Sequence, residues 1–272
     1  MNALSRIRRF IGEQHRLCYS NWKSLASKNK IKELHNKHFG KRGFVVGLGS
    51  SLLAGDLDKL TNEITISCNK CYLLYDKTNW RPTYYSLIDL IIAKDRKEEI
   101  AKVDSVKIMS TCVSKQLGNY GKDVIWVKEL IQQSKEEFEF STNLEKGIYG
   151  GCSVTFDMLQ IAWHLGLNPI YLIGVQHDIM GKEYIQTNIA GPYGYNLFKS
   201  GDSRIQKHCV PNYYRPGELV ASNVDEQKRA IKALEKVAQI AKENNRQILN
   251  ASRLTYLDMF PRINLDDVLS DG

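Results

Sequence analysis

Gly43-Phe44-Val45-Val46-Gly47-Leu48-Gly49-Ser50-Ser51-Leu52 is the stretch whose reading decides the fold. A short apolar run ends in a turn of Gly and Ser. By length and composition the run is a buried parallel strand, and a helical stretch through Leu60 follows it. The same alternation continues downstream. Ile64–Cys68, Thr83–Ile88, Val106–Met109, Asp123–Val127, Pro169–Gly174 and Gln247–Asn250 read as further strands. Gly150-Gly151 opens an apolar helix from Ser153 to Leu165, and Asn223 or Asp225 caps a long helix to about Asn244. Residues 178–222, rich in Tyr, Gly and Pro, read as irregular.

Strands that alternate with helices, each ending in a turn residue, predict an α/β fold. The expected architecture is a Rossmann-like, mostly parallel sheet flanked by helices, spanning residues 41–272, with a basic helical N-terminal extension over residues 1–40. The chain has 272 residues, 43% of them apolar and 25% charged, so a sizeable core is expected and dominant disorder is excluded. No apolar run reaches the roughly 18 residues of a membrane span, and the first residues lack the apolar stretch of a secretory signal. Six cysteines at irregular spacings make no disulfide framework, so a cytoplasmic location is expected.

The net charge of +8 is unevenly spread. Residues 1–43 carry eleven Lys/Arg against two acids, a balance of +9, and the remainder carries 27 against 28, a balance of −1. A neutral body argues against nucleic acid as its ligand. The basic extension, with Leu4, Ile7, Phe10, Ile11 and Leu17, has two readings. It is a peripheral anchor on an anionic membrane surface, or a helix that is solvated or packed on the body or on another copy in a homo-oligomer.

Several residues have the chemistry of a site. The turn Gly47–Ser51 lies where such sheets bind ligands, because glycines let the backbone approach a phosphate and the next helix start offers free N–H groups. It is neither G-x-G-x-x-G nor a Walker loop. Asn69, at the end of the second strand, is placed to hydrogen-bond a base or sugar. Gln176 and His177 follow the strongest strand. His208 lies in a loop dense in tyrosines, including Tyr213 and Tyr214, and is a candidate general base near neutral pH. His164, inside an apolar helix, reads as structural, and His35 and His38 as exposed. Cys68-Asn69-Lys70-Cys71 cannot close a zinc site alone. Asp56-Leu57-Asp58 matches the D-x-D of metal-dependent sugar transferases, but acids are also common near helix starts. No metal site is expected.

Taken in order, Gly47-Leu48-Gly49-Ser50-Ser51-Leu52, Ser67-Cys68-Asn69-Lys70 and Pro82-Thr83-Tyr84-Tyr85 leading to Asp89 resemble the MptE-like (motility accessory factor) Rossmann-type domain. Tyr171–Val175, Lys207-His208-Cys209 with Asn212-Tyr213-Tyr214, Ile248–Ser252 and Phe260-Pro261-Arg262-Ile263 through Asp266 extend the resemblance over residues 41–269. The same skeleton is similar to the family 42 bacterial sialyltransferases. That resemblance implies a glycosyltransferase with a CMP-activated donor, a nonulosonic acid, and no cofactor or essential metal. The implied acceptor is a hydroxyl of a glycan or lipid-linked oligosaccharide, as in surface polysaccharide biosynthesis. It implies His208 as base, with Tyr213 or Tyr214 near the phosphate. Gly47, Gly49, Ser50, Ser51, Asn69, Asp89, Ser153, Gln176 and His177 would surround the nucleotide. Two positions depart from the pattern: Leu48 stands where the family has Asn, and Gln176 where it has Asp. The alternatives are an ATP-dependent, MptE-like diphosphokinase and a non-catalytic nucleotide-binding or scaffold protein.

Overall fold

The computed structural model describes residues 22–134, 137–177, 196–199, 208–210, 213–214, 219–222 and 224–270. Its centre is a seven-stranded parallel sheet. In chain order the strands are β1 (Gly43–Val46), β2 (Thr65–Cys68), β3 (Tyr84–Ser86), β4 (Val106–Ser110), β5 (Ile125–Val127), β8 (Ile170–Ile173) and β11 (Ile248–Asn250). In space they run β11-β8-β1-β2-β3-β4-β5. All seven strands expected from the sequence are present, with ends displaced by at most two residues. Their side chains divide by the period of two. Val45, Ile66, Tyr84, Ile108, Ile125 and Leu172 enter one core layer; Phe44, Val46, Tyr85, Met109, Trp126 and Ile173 enter the other. Burial on both faces is why these strands are continuously apolar.

The first layer is covered by α1 (22–34), α6 (Val154–His164) and α7 (Val224–Glu243). Along α7, Ala233, Leu234, Val237 and Ala241 recur at helical spacing and are buried. The second layer is covered by α2 (Ala54–Asp58), α3 (Leu90–Asp95), α4 (Lys97–Ala101), α5 (Ser114–Leu117) and α8 (Leu265–Ser270).

Part of the basic segment is joined to this body. Ile31 and Leu34 lie in the core, and Ser27 Oγ accepts the backbone N–H of Trp126 at 2.8 Å. Asn36, His38 and Gly40 donate to the last carbonyls of the α6 turn, those of His164, Leu165 and Gly166. His164 is structural as expected: Nδ1 accepts the N–H of Leu144 and Nε2 meets the Ile31 carbonyl at 2.9 Å. His35 is exposed, whereas His38 is half-buried, 2.8 Å from the Tyr84 hydroxyl, which corrects the expectation that both are exposed. Residues 1–21, with Arg6, Arg8, Arg9 and Arg16, lie outside the described residues.

The stretch 178–222 is not wholly irregular. Within it β9 (Asn196–Lys199) and β10 (Leu219–Ser222) pair antiparallel, Asn196 opposite Ser222. Their separation by residues 200–218 removes the short-hairpin signal that would announce them. A two-residue parallel pair, β6 (Glu129–Leu130) and β7 (Ile148–Tyr149), is likewise too short for the sequence to announce. Among the described residues no helix is long and apolar enough to cross a membrane.

Candidate functional site

Parallel strands deliver all their C-terminal turns to one edge. The chain builds the sheet outward from β1 through β5, then returns to place β8 on the other side of β1. The β1–β8 boundary is therefore the topological switch point, where open α/β sheets hold ligands. The two turns at this point are locked together. Gly49 N–H donates to the Gly174 carbonyl at 2.8 Å, and Gly47 N–H to Ile173 at 2.8 Å. A Cβ on Gly47 would lie 2.5 Å from the Gly174 carbonyl oxygen, and one on Gly49 2.8 Å from the same atom. Gly174 itself has φ +63°. The glycines are thus required by turn-on-turn packing, before any ligand is considered. Gln176 closes the crevice: its Oε1 accepts Ser50 N–H at 3.1 Å and Ser50 O–H at 3.0 Å. Ser51 Oγ accepts the N–H of Leu254 at 3.3 Å.

The tyrosine-rich loop sits against this turn. Gly49 and His208 form an antiparallel bridge, and Cys209 N–H donates to the Leu48 carbonyl at 3.0 Å. The His208 imidazole stacks on Tyr213 with centroids 3.6 Å apart and meets Tyr214 edge-on at 5.4 Å. Its Nδ1 is buried. Tyr213 is buried as well, and desolvation holds its hydroxyl far above the ordinary phenol range, so it remains protonated. Asn69, with φ 49°, places its side chain against that hydroxyl, while its own carbonyl accepts Tyr85 O–H at 2.7 Å.

Lys70, to which the sequence assigns no role, belongs to this cluster. Its side chain is 1% exposed, donates to the Tyr213 carbonyl at 2.8 Å and lies over the Tyr213 and Tyr214 rings. A lysine next to a strand end gives no sign of burial; only its tertiary partners reveal it. Asp89 caps α3, accepting from the N–H groups of Ile91 and Ile92. Burial pushes its carboxyl up, against the pull of those two N–H groups and Lys70.

A second part of the edge is the start of α6. Ser153 is its N-cap, and Ser153 Oγ is 3.5 Å from His177 Nε2. His177 and the neighbouring Cys152 both have left-handed backbones, φ 50° and 59°, which cost about 1–3 kcal/mol each and tend to collect at sites. Deeper in the first turn, Asp157 is 1% exposed, with Oδ1 unpartnered among the described residues. Desolvation, and secondarily the charge of Glu129, hold its carboxyl well above the ordinary range.

The remaining sequence candidates are occupied elsewhere. Asp56 and Asp58 do not face a common point. Asp56 closes the first turn of α2 and pairs with Arg253, while Asp58 accepts from Thr78 Oγ. Cys68 and Cys71 are buried, the first thiol held well above the usual range by desolvation and the second raised to about 12, so both stay protonated. A cavity of about 490 Å³, which no local pattern in the sequence announces, opens beside the end of β11, between α2 and α8. Compared with models of known protein families the chain matches none, and a comparison with curated proteins finds none similar to it.

Proposed function

We propose that the protein is a glycosyltransferase that moves a sugar, a nonulosonic acid, from a CMP donor to a hydroxyl of a cell-surface glycan precursor. The observation that carries this reading is the Gly49–His208 bridge at the switch point, which brings an imidazole to the rim of the glycine turn. In the step, the bond from the anomeric carbon to the donor phosphate breaks and a bond to the acceptor oxygen forms. His208 Nε2 takes the acceptor proton, since Nδ1 is buried. A positioned base of this kind contributes roughly 10²–10⁴-fold. CMP leaves with the electron pair of the broken bond. Tyr213 and Tyr214 pack against the His208 ring and the Lys70 charge lies over both tyrosines, an arrangement that favours that developing negative charge. Ser153, His177 and Asn69 support the same reading, lying on the edge where a nucleotide would run. The basic segment fits an acceptor held at an anionic membrane surface on the cytoplasmic side.

One observation favours a second reading, a nucleotide-binding protein without transfer chemistry. Gln176 fills the crevice with a neutral side chain already satisfied by Ser50. Thermal shifts with CMP, UDP, GDP and ATP, with and without Mg²⁺, separate the readings, because a ligand of the native state raises its stability by mass action. The expected result is a response to CMP that needs no Mg²⁺. A response confined to ATP with Mg²⁺ would mean a diphosphokinase, and no response would remove the nucleotide site. His208→Ala is expected to lower turnover at least about 10²-fold at saturating donor while CMP affinity changes little. CMP binding with unchanged turnover in that variant would remove His208 as the base.

A further inference from the structure

We propose that the cavity between β11 and α8 is a binding site for a small organic anion, a phosphate or carboxylate attached to an apolar group. This site is separate from the glycine turn and does not depend on the reading of that turn as a transferase site.

The cavity, about 490 Å³, is lined by the apolar Ala251, Ile263 and Leu265 and by two arginines, Arg253 and Arg262, with Asp56 and Asp266 beside them. That volume suits a small molecule. Both arginines are held from behind. Arg253 makes a two-point contact with Asp56, Nε to Oδ2 at 3.0 Å and Nη2 to Oδ1. Asp56 is 3% exposed, and its Oδ2 also accepts the N–H of Leu53, so the carboxylate that orients Arg253 is fixed by the start of α2. Arg262 is fixed through its backbone. It bridges Asn250 in parallel register, with Asn250 N–H on Pro261 and Ile263 N–H on the Asn250 carbonyl at 2.8 and 3.1 Å. Its Nη2 reaches the Arg253 carbonyl at 3.4 Å.

The lining carries two arginines and two aspartates, and Lys59 approaches from outside it. Asp56 pairs with Arg253, and Asp266 on the rim pairs with Lys59. Arg262 has no ion-pair partner among the described residues, so it is the surplus positive charge. A guanidinium presents N–H groups in a planar fork that matches a carboxylate or phosphate, which identifies the ligand's charged end. The apolar part of the lining identifies its other end as apolar.

Calorimetric titration of the full chain with inorganic phosphate, phenyl phosphate and benzoate tests this. Phenyl phosphate or benzoate is expected to bind more tightly than inorganic phosphate, and added salt is expected to weaken the binding. Whichever of the two ring compounds binds better identifies the anion class. Arg262→Ala, at an exposed position, should weaken binding at least about tenfold, with Arg262→Lys intermediate because it keeps the charge and loses the fork. Ser153→Ala should leave binding unchanged. Affinity unaffected by Arg262→Ala, or lost in Ser153→Ala, would place the anion at the start of α6 and overturn the proposal. So would the absence of binding by all three compounds.

Discussion

The C-terminal edge of the sheet is built in two different ways at two neighbouring places, a closed flank and an open one. At β1 and β8 the turns touch backbone to backbone: Gly47 and Gly49 press on Gly174, and Gln176 seals the remaining space. At β11 and α8 the chain stands apart and leaves a cavity lined by two arginines and two aspartates. The two are held in place by different means. The first depends on the absence of side chains, the second on charged side chains anchored from behind. Glycine at the edge of a parallel sheet is therefore no sign of an open site, because the same residue serves a closed turn pair equally well.

The sharpest way to break this contrast is Gly47→Ala. The added carbon meets a main-chain oxygen at 2.5 Å, and a backbone atom cannot step aside as a flexible side chain would. Destabilisation of about 3 kcal/mol, at the upper end of ordinary overpacking, is expected in urea unfolding. A cost below about 1 kcal/mol would show that the two turns have room to separate and that the closed flank is not closed.

The next effect depends on pH and concerns Asp157, in the first turn of α6. Its carboxyl is held above the ordinary range, so the folded chain keeps a proton that the unfolded chain releases. Below the ordinary carboxylate range both states are protonated and the group is neutral in its effect. As pH rises from there towards the raised native value, stability falls by about 1.4 kcal/mol per pH unit. Asp157→Asn should remove that slope, making the variant more stable than the wild type at pH 7 and nearly equal to it at pH 3. Parallel stability curves for the two proteins would mean that Asp157 is charged in the native state, with a partner supplied to it.

The smallest effect belongs to the open flank. Gly55 lies in α2, one residue before the Asp56 that orients Arg253, and a Cβ there meets nothing within 4 Å. Gly55→Ala should stabilise the protein by about 0.5–1 kcal/mol, because alanine loses less backbone freedom on folding. Thermal unfolding measures this directly. A loss of stability would indicate that the open flank is packed more tightly than its geometry implies.

The sequence by itself determined the fold class, the identity of the seven parallel strands and the place of the first turn at the C-terminal edge of the sheet. These follow from local signals: apolar runs too short for helices, Gly or Asn at their ends, and helical spacing between them. The local role of His164 was legible for the same reason, since a histidine on an apolar helix is buried wherever the helix packs. Tertiary structure alone decided what the edge residues touch. That Gly47 and Gly49 serve turn packing depends on β8, more than a hundred residues away. That Lys70 is buried under two tyrosines, and that Asp56 orients Arg253 and does not join Asp58 as a metal ligand, depends on loops equally distant in the chain. Periodicity reports which face of an element is apolar. Side-chain pairing across the sheet edge is set by strand order and by which turns come within a few ångströms of one another, and neither is recorded in local spacing.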